Sequence, residues 1–263
     1  MKKYGLIGYP LGHSFSQKYF TDKFEKEGIE DCEYVSFPIQ NINELSKLLK
    51  NNPELCGLNV TIPHKIGVHY FLDKISPTSK IIDAVNCIKI TYPNSLSGLF
   101  DGELITTHAN QPFLEGHNTD AFGFQESLKP LLKKHHKKAL ILGNGGATRA
   151  VKYVLKKLDI DFTIVSRQHH HEMIAYSEVT KKLLSEYHLI INTTPLGTFP
   201  DVESCPLIPY QYLTSKHLLY DLIYNPEETT FLRKGKEQGA TTKNGYEMLV
   251  LQAEKSWEIW NTP

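Results

Sequence analysis

Arginine is scarce in this chain, and long apolar runs are missing. Among 263 residues only Arg149, Arg167 and Arg233 carry a guanidinium group, so the first 148 residues have none. An anionic ligand of the first half must therefore be held by hydroxyls, amides, helix ends or lysine. No stretch reaches the roughly 20 apolar residues that a membrane helix needs. Glycine and proline also interrupt the start of the chain too early for a signal peptide.

Cysteine pairs and an excess of either charge are missing as well. Lysine plus arginine and aspartate plus glutamate each number 29, and this neutral balance argues against nucleic acid or an anionic membrane as a partner. The chain has no Cys-x-x-Cys pair, so neither a disulfide framework nor a zinc knuckle is indicated. The four cysteines are Cys32, Cys56, Cys87 and Cys205. Neighbouring histidines at 135–136 and 169–171 point in different directions, so we expect no metal site. We expect a soluble cytoplasmic monomer or homodimer with a small-molecule ligand.

What the chain does contain is a regular alternation of apolar runs and helical patterns, which indicates an α/β fold. In the first half the predicted strands are 4–7, 33–37, 56–60 and 86–92. The predicted helices are 15–27, begun by Ser14, then 44–49 and 78–82. We expect a mainly parallel sheet here. Residues 93–115 are rich in turn formers, and we expect a long hairpin or surface excursion.

The second half repeats this pattern more regularly. Residues 118–120 are expected to cap a helix that runs to about Lys133. Strands are predicted at 139–142, 162–165, 188–192 and 218–222, and helices at 148–158, 227–238 and 245–260. The last helix carries an apolar stripe at a period of 3.6, which we expect to pack on the first domain; its members are Tyr246, Leu249, Val250, Ala253, Trp257 and Trp260. We therefore expect two α/β domains, 1–118 plus 243–263 and 119–242, the second of Rossmann type.

A glycine-rich turn between two predicted strands indicates a dinucleotide site. The strand 139–142 runs straight into this turn, which spans 143–148, and Thr148 stands where a third glycine is usual. Such a turn lets the backbone approach a pyrophosphate at a helix N-terminus. After the next strand comes Arg167 rather than an acidic residue, which favours the 2′-phosphate of NADP over the ribose hydroxyl of NAD. The alternative is a tight turn that merely joins strand to helix.

Hydride chemistry at a carbonyl also needs an acid–base group. Lys65 is a candidate, because Pro63 is expected to start a helix after a buried strand and to place this lysine in the first turn, against the helix dipole. Asp120 is the carboxylate that we pair with it, although an acid at a helix start also has a simple capping role. Ser14, Thr61, Asn86 and Asp120 lie near predicted strand ends, which meet at one crevice in open α/β sheets.

The chain resembles the shikimate dehydrogenase family over essentially its full length. The motifs that carry the resemblance, in chain order, are Gly12-His13-Ser14-Phe15-Ser16, Asn59-Val60-Thr61-Ile62-Pro63-His64-Lys65, Ala84-Val85-Asn86, Gly116-His117-Asn118-Thr119-Asp120, the glycine turn, Ile191-Asn192-Thr193-Thr194-Pro195-Leu196-Gly197, Tyr220-Asp221-Leu222-Ile223-Tyr224-Asn225-Pro226 and the run from Gly245 to Ala253. Several residues between these motifs depart from the family pattern, among them Gln17, Asp83, Cys87, Ala121 and Ser166.

The resemblance implies reversible reduction of 3-dehydroshikimate by NADPH in aromatic amino-acid synthesis. It implies Lys65 and Asp120 as the catalytic pair, and a substrate site formed by Ser14, Ser16, Thr61, Asn86, Asp120, Tyr224 and Gln252. It implies an NADP site formed by Gly143, Asn144, Gly145, Gly146, Ala147, Ser166, Arg167, Asn192, Thr193, Leu222 and Gly245. The first domain would then bind substrate and the second NADP. Two alternatives stay open: a quinate/shikimate dehydrogenase that uses NAD, and a ligand-sensing relative without turnover.

Overall fold

The computed structural model describes residues 1–12, 15–92, 111–169 and 172–262. The chain divides into two compact units: Met1–Thr119 together with Ala253–Pro263, and Asp120–Gln252. The second break lies inside the last helix, later than the expected boundary after residue 242. None of the described helices is long and apolar enough to cross a membrane.

The first unit is built on one six-stranded sheet. Its strands are β1 (Lys2–Gly8), β2 (Cys32–Pro38), β3 (Leu55–Val60), β4 (Lys74–Ile75), β5 (Cys87–Thr91) and β6 (Phe113–His117). Its helices are α1 (Phe15–Glu27), α2 (Leu45–Asn51) and α3 (Pro77–Ile82), with 3-10 turns at Ile42–Glu44 and Gly67–Phe71. The predicted strands 4–7, 33–37, 56–60 and 86–92 and the predicted helices 15–27, 44–49 and 78–82 are confirmed, and the strand order across the sheet is β2-β1-β3-β5-β6-β4.

This sheet is mainly parallel, as predicted, because β5 alone among its described strands runs in the opposite direction. β5 runs antiparallel to both β3 and β6, whereas β1 runs parallel to β2 and β3. At the end of the predicted hairpin or excursion 93–115, the strand β6 (Phe113–His117) pairs antiparallel with β5, which agrees with the hairpin alternative. The rest of the excursion, 93–110, lies outside the described residues.

Aromatic rings form much of the core on one face of this sheet. The indole of Trp260 stacks on Tyr4 with ring centroids 5.0 Å apart, and its N–H donates to the carbonyl of Ile88 at 3.0 Å. Gly57 lies directly below, where any Cβ would collide with the indole. The end of the last helix therefore packs on the first unit, as predicted. Tyr246, at the start of the predicted stripe, is instead 53% exposed.

The second unit contains a separate six-stranded sheet. Its strands are β7 (Lys138–Leu142), β8 (Asp161–Ser166), β9 (Met173–Ala175), β10 (Leu189–Asn192), β11 (Leu218–Asp221) and β12 (Thr241–Lys243). Its helices are α4 (Asp120–Leu128), α5 (Gly146–Lys157), α6 (Lys181–Leu184), α7 (Thr230–Glu237) and the start of α8 (Tyr246–Asn261).

Every described pairing in this second sheet is parallel, in the order β12-β11-β10-β7-β8-β9. Counted from β7, this is the Rossmann order 3-2-1-4-5-6, with the reversal of strand order between β7 and β10. Ligands of such sheets bind at the carboxyl ends of the strands beside that reversal. The Rossmann-type prediction is confirmed.

Two details of the second unit differ from the sequence prediction. The helix expected to reach Lys133 ends at Leu128 and continues only as a 3-10 turn, because Pro130 cannot donate the next helical hydrogen bond. Three short elements, β9, α6 and β12, were not predicted. Their three or four residues are too few to show a hydrophobic period.

Candidate active site

Two of the predicted substrate residues, Thr61 and Asn86, lie at one edge of the sheet of the first unit. Thr61 follows β3, and its N–H donates to the carbonyl of Ile7 at 2.9 Å. Asn86 directly precedes β5. Because β5 is antiparallel, its first residue lies at the edge where β3 ends, and the N–H of Val60 donates to the carbonyl of Asn86 at 2.8 Å.

A buried network of polar side chains fixes the Asn86 side chain. Its Nδ2 donates to Thr119 Oγ1 at 3.0 Å, and its Oδ1 accepts from the Thr119 N–H at 2.7 Å. Ser256, from the last helix, lies 3.1 Å from Thr119 Oγ1 and accepts from Asn59 Nδ2 at 3.0 Å. Tyr34 completes the network by donating to Asn59 Oδ1 at 2.8 Å. Burial of so many polar groups is tolerated because they satisfy one another.

Lys65 lies in a turn rather than in the first turn of a helix, so the helix predicted from Pro63 is wrong. The first helical residues of this segment are Gly67–Phe71, in a 3-10 turn. Two bonds to the rest of the unit hold the chain in this form: the carbonyl of Lys65 accepts from the N–H of Val85 at 2.8 Å, and the buried His64 ring bonds the carbonyl of Ile39 at 2.8 Å. The Lys65 side chain is half-buried. Its placement against a helix dipole is therefore no argument for a catalytic role.

The remaining predicted substrate residues are spread over both units. Ser14 lies outside the described residues, and Ser16 is half-buried in the first turn of α1. Asp120 is the first residue of α4, as predicted. In the second unit Tyr224 lies in the loop after β11, where partial burial raises its pKa, and Gln252 is 6% exposed on α8.

The glycine turn has the geometry that a phosphate site requires. Gly143 has a φ of 104°, and a Cβ there would lie 2.8 Å from the Thr194 methyl, so only glycine fits. Thr148 takes the place of the third glycine because its hydroxyl is used: it donates to the carbonyl of Gly143 at 3.2 Å and lies 2.9 Å from Thr193 Oγ1. This contact joins the turn after β7 to the loop after β10, on either side of the reversal of strand order.

The residues present fit a dinucleotide. Gly145 caps α5 and Gly146 begins it, and a Cβ at either position would have no neighbour within 4 Å. The backbone there is therefore open to a phosphate at a helix N-terminus. Arg167 is exposed after β8 and lines a cavity of about 500 Å³ together with Asn144, Ser166, Gln168 and Met173. A guanidinium in this cavity suits the extra phosphate of NADP.

Asp221, the last residue of β11, lies in one of the family motifs but was not among the predicted site residues. Its side chain is fully buried and accepts hydrogen bonds from Asn192 Nδ2 at 3.0 Å, the Ile223 N–H at 3.1 Å and Thr229 Oγ1 at 2.6 Å. Burial raises the pKa of Asp221 to about 6, while these hydrogen bonds act in the opposite direction. Its signals in the sequence are its place in the motif from Tyr220 to Pro226 and the acidic residue inside an apolar predicted strand.

The other predicted cofactor residues lie along the same edge of the second sheet. Asn192 ends β10 and is fully buried, and Leu222 follows β11, with its N–H donating to the Asn192 carbonyl at 3.1 Å. Gly245 precedes α8 and donates to the carbonyl of Ile223 at 2.9 Å. In the part of the chain that the structure describes, no group of three His, Cys, Asp or Glu could hold a metal ion.

Sheet order, glycine turn and Arg167 together define a dinucleotide-binding α/β protein. Residues 6–88 match the family described as the shikimate dehydrogenase substrate binding domain. The curated shikimate dehydrogenase (NADP(+)) of Methanococcus vannielii is 34% identical over 277 residues, covering 97% of this chain and 90% of that protein. The chain belongs to the shikimate dehydrogenase family.

Solved structures agree on the fold. The crystal structure of a shikimate dehydrogenase in complex with NADP+ has a TM-score of 0.82 at 30% identity, covering 99% of this chain and 90% of that one. A ligand-free 5-ketofructose reductase from a Gluconobacter species has a TM-score of 0.79 at 28% identity, covering 99% and 92%. Structural similarity alone therefore does not distinguish between the activities of these two enzymes.

Proposed function

We propose that this protein is an NADP-dependent shikimate dehydrogenase, which reversibly reduces 3-dehydroshikimate to shikimate in the synthesis of chorismate and the aromatic amino acids. Its likeness to the curated enzyme of that name extends over 97% of the chain. The structural observation that carries the cofactor assignment is the cavity that Arg167 shares with Asn144 and Ser166 after β8. A cavity with a guanidinium and no carboxylate among its lining residues favours the 2′-phosphate of NADP.

The two units have different tasks in this proposal. The first, Met1–Thr119 with Ala253–Pro263, binds the substrate, and the second, Asp120–Gln252, binds NADP. The match of residues 6–88 to a substrate binding domain supports the first assignment. The Rossmann strand order and the glycine turn support the second.

The substrate carboxylate is bound by hydroxyls rather than by arginine. Neither segment of the first unit contains an arginine, so Ser14 and Ser16 are assigned to the carboxylate. The ring hydroxyls are assigned to Thr61, Asn86, Asp120 and Gln252, with Tyr224 nearby. Support for Asn86 comes from the two bonds to Thr119, which hold its carboxamide in one orientation.

Lys65 and Asp120 are proposed as the acid–base pair. When bound, NADPH supplies the hydride that reduces the ketone carbon. Lys65 gives its proton to the carbonyl oxygen as that hydride arrives, so the C=O bond becomes CH–OH, and it takes the proton back in the reverse reaction. Asp120 is proposed to orient the ammonium group and a ring hydroxyl. If Asp120 served only as a helix cap, the reaction would proceed without its carboxylate.

An absorbance assay at the nicotinamide band tests this proposal. The purified chain is incubated with shikimate, quinate or no acid, each with NADP or NAD, and separately with 5-ketofructose and NADPH. We expect turnover of shikimate with NADP to be the fastest reaction. Preferred turnover of 5-ketofructose, of quinate, or with NAD would replace the proposed activity by that one. Binding of both ligands without turnover would indicate a ligand-sensing protein.

A further inference from the structure

Asp221 has no role in the reaction proposed above, yet its carboxylate is fully buried. All three of its partners in the described part of the chain are uncharged donors: Asn192, Thr229 and the Ile223 N–H. Burying a carboxylate without a cation costs stability. An amide or hydroxyl would serve packing at lower cost, so the charge itself needs a reason.

The bonds to Asp221 reach two loops at once. Through Oδ1 it holds the Asn192 carboxamide, whose own Oδ1 accepts from the Thr194 N–H at 3.0 Å and from Thr194 Oγ1 at 2.7 Å. The same carboxylate holds the Ile223 N–H in the loop after β11. One side chain thereby fixes the start of both loops that carry Asn192, Thr193 and Leu222, the residues assigned to the nicotinamide side.

We propose that Asp221 is a positioning residue for the nicotinamide half of the cofactor and that it acts as a carboxylate. This inference rests on the proposed NADP site. An ionised acceptor forms stronger hydrogen bonds than a neutral one, so the charge holds the Asn192 amide and the two loops in the binding conformation. Protonation of Asp221 turns one acceptor oxygen into a donor and loosens this arrangement.

We expect Asp221 to be the group that titrates in this region, because its hydrogen-bond partners are uncharged and the neighbouring tyrosine stays neutral. Asn192 on β10 and Thr229 before α7 are uncharged. Tyr210 is a titratable residue that interacts electrostatically with Asp221. Burial holds the pKa of Tyr210 well above the ordinary value, so its side chain remains a neutral phenol. Lys234 of α7 lies over the Tyr210 ring at 5.1 Å from its centroid and within 3.3 Å of Cys205 Sγ.

The test compares Asp221→Asn with Asp161→Asn, the same change at an exposed position at the opposite end of this sheet. Dissociation of NADPH is followed by its fluorescence from pH 5 to 8. We expect Asp221→Asn to bind NADPH about three- to tenfold more weakly at pH 7.5, the effect of weakening charged hydrogen bonds, with Asp161→Asn unchanged. The ratio of the two affinities, wild type to Asp221→Asn, should shrink as the pH falls through 6. The 2′-phosphate titrates in this range too, but it does so in both proteins and cancels.

Unfolding in urea at pH 8 separates positioning from a merely structural role. Removing a buried charge should leave the midpoint of Asp221→Asn equal to or above that of the wild type, although its affinity for NADPH is lower. A lower midpoint with unchanged affinity, or affinities within twofold at every pH, would overturn the inference. Wild-type protein that binds no NADPH would overturn the NADP assignment and this inference together, whereas a normal wild type with an unaffected variant would overturn this inference alone.

Discussion

Asn86 and Thr119 hold each other by two hydrogen bonds in the first unit: Nδ2 of Asn86 donates to Thr119 Oγ1 at 3.0 Å, and the Thr119 N–H donates to Asn86 Oδ1 at 2.7 Å. Asn86 directly precedes the antiparallel strand β5, and Thr119 lies two residues after the end of its neighbour β6. The pair therefore closes one edge of the sheet and sets the direction in which the Asn86 amide points. Its consequences can be measured.

Replacing Thr119 by valine keeps the N–H bond and the shape but removes Oγ1, the acceptor of Asn86 Nδ2. We expect KM for shikimate to rise about three- to tenfold and the free energy of unfolding to fall by about 1 to 3 kcal/mol, because buried polar partners are left without their bond. KM for NADP should stay the same. Thr91→Val, a half-buried threonine of β5, is the matched control. An unchanged KM for shikimate would show that the Asn86 amide does not bind the substrate.

Lys65→Ala tests the proton donor. Acid–base assistance contributes about 10² to 10⁴ in rate, so kcat for shikimate oxidation should fall by that factor while KM changes far less. Lys47→Ala, an exposed lysine on α2, should behave as the wild type. Steady-state kinetics of both variants provide the measurement. A kcat within a few-fold of the wild type in Lys65→Ala would remove this lysine from the mechanism.

Arg167→Ala tests the cofactor preference. A charge-assisted hydrogen bond contributes about 1.5 to 3 kcal/mol, so kcat/KM with NADP should fall about 10- to 100-fold while kcat/KM with NAD stays the same. Arg233→Ala removes a guanidinium that bonds Thr230 and lies 3.8 Å from Glu203 on the surface of α7. It should leave both values unchanged. Equal losses with NADP and NAD would mean that Arg167 does not bind the 2′-phosphate.

Buried histidines make stability depend on pH in a defined direction. His136 and His217 each accept a backbone N–H at Nδ1, from Lys133 and Thr214, while Nε2 bonds a backbone carbonyl. Accepting at Nδ1 requires the neutral ring, and burial lowers the pKa of both rings. Below pH 6.5 the unfolded chain binds protons that the folded chain does not, so the free energy of unfolding falls as the pH falls.

His217→Asn measures this effect, since asparagine can still accept from the Thr214 N–H but does not titrate. Urea unfolding from pH 7.5 to 5 should show a smaller loss of stability in the variant, by up to about 1.4 kcal/mol per pH unit. The variant is compared with the wild type because Asp221 affects stability in the opposite direction. The raised pKa of Asp221 favours the folded state as the pH falls through 6. Parallel curves for the variant and the wild type would contradict the prediction.

Local patterns in the sequence were sufficient for most elements of both sheets and for the dinucleotide turn. Apolar runs of four or five residues, such as Ala139–Leu142, fit buried strands, and their alternation with helices predicts α/β order. Gly143 follows the same logic, because a left-handed φ at the end of a strand selects glycine. Each of these signals depends only on neighbours in the chain.

Other features of the fold and of the site depend on tertiary contacts and could not be predicted from the sequence. The antiparallel course of β5 shows only in its pairing with β3 and β6, and the turn at Lys65 is held by Val85, twenty residues further on. Burial of Asp221 and the neutral state of His217 likewise depend on partners from distant segments. Hydrophobic period and turn propensity are properties of a few consecutive residues, whereas strand direction, hydrogen-bond partners and pKa arise from groups that only folding brings together.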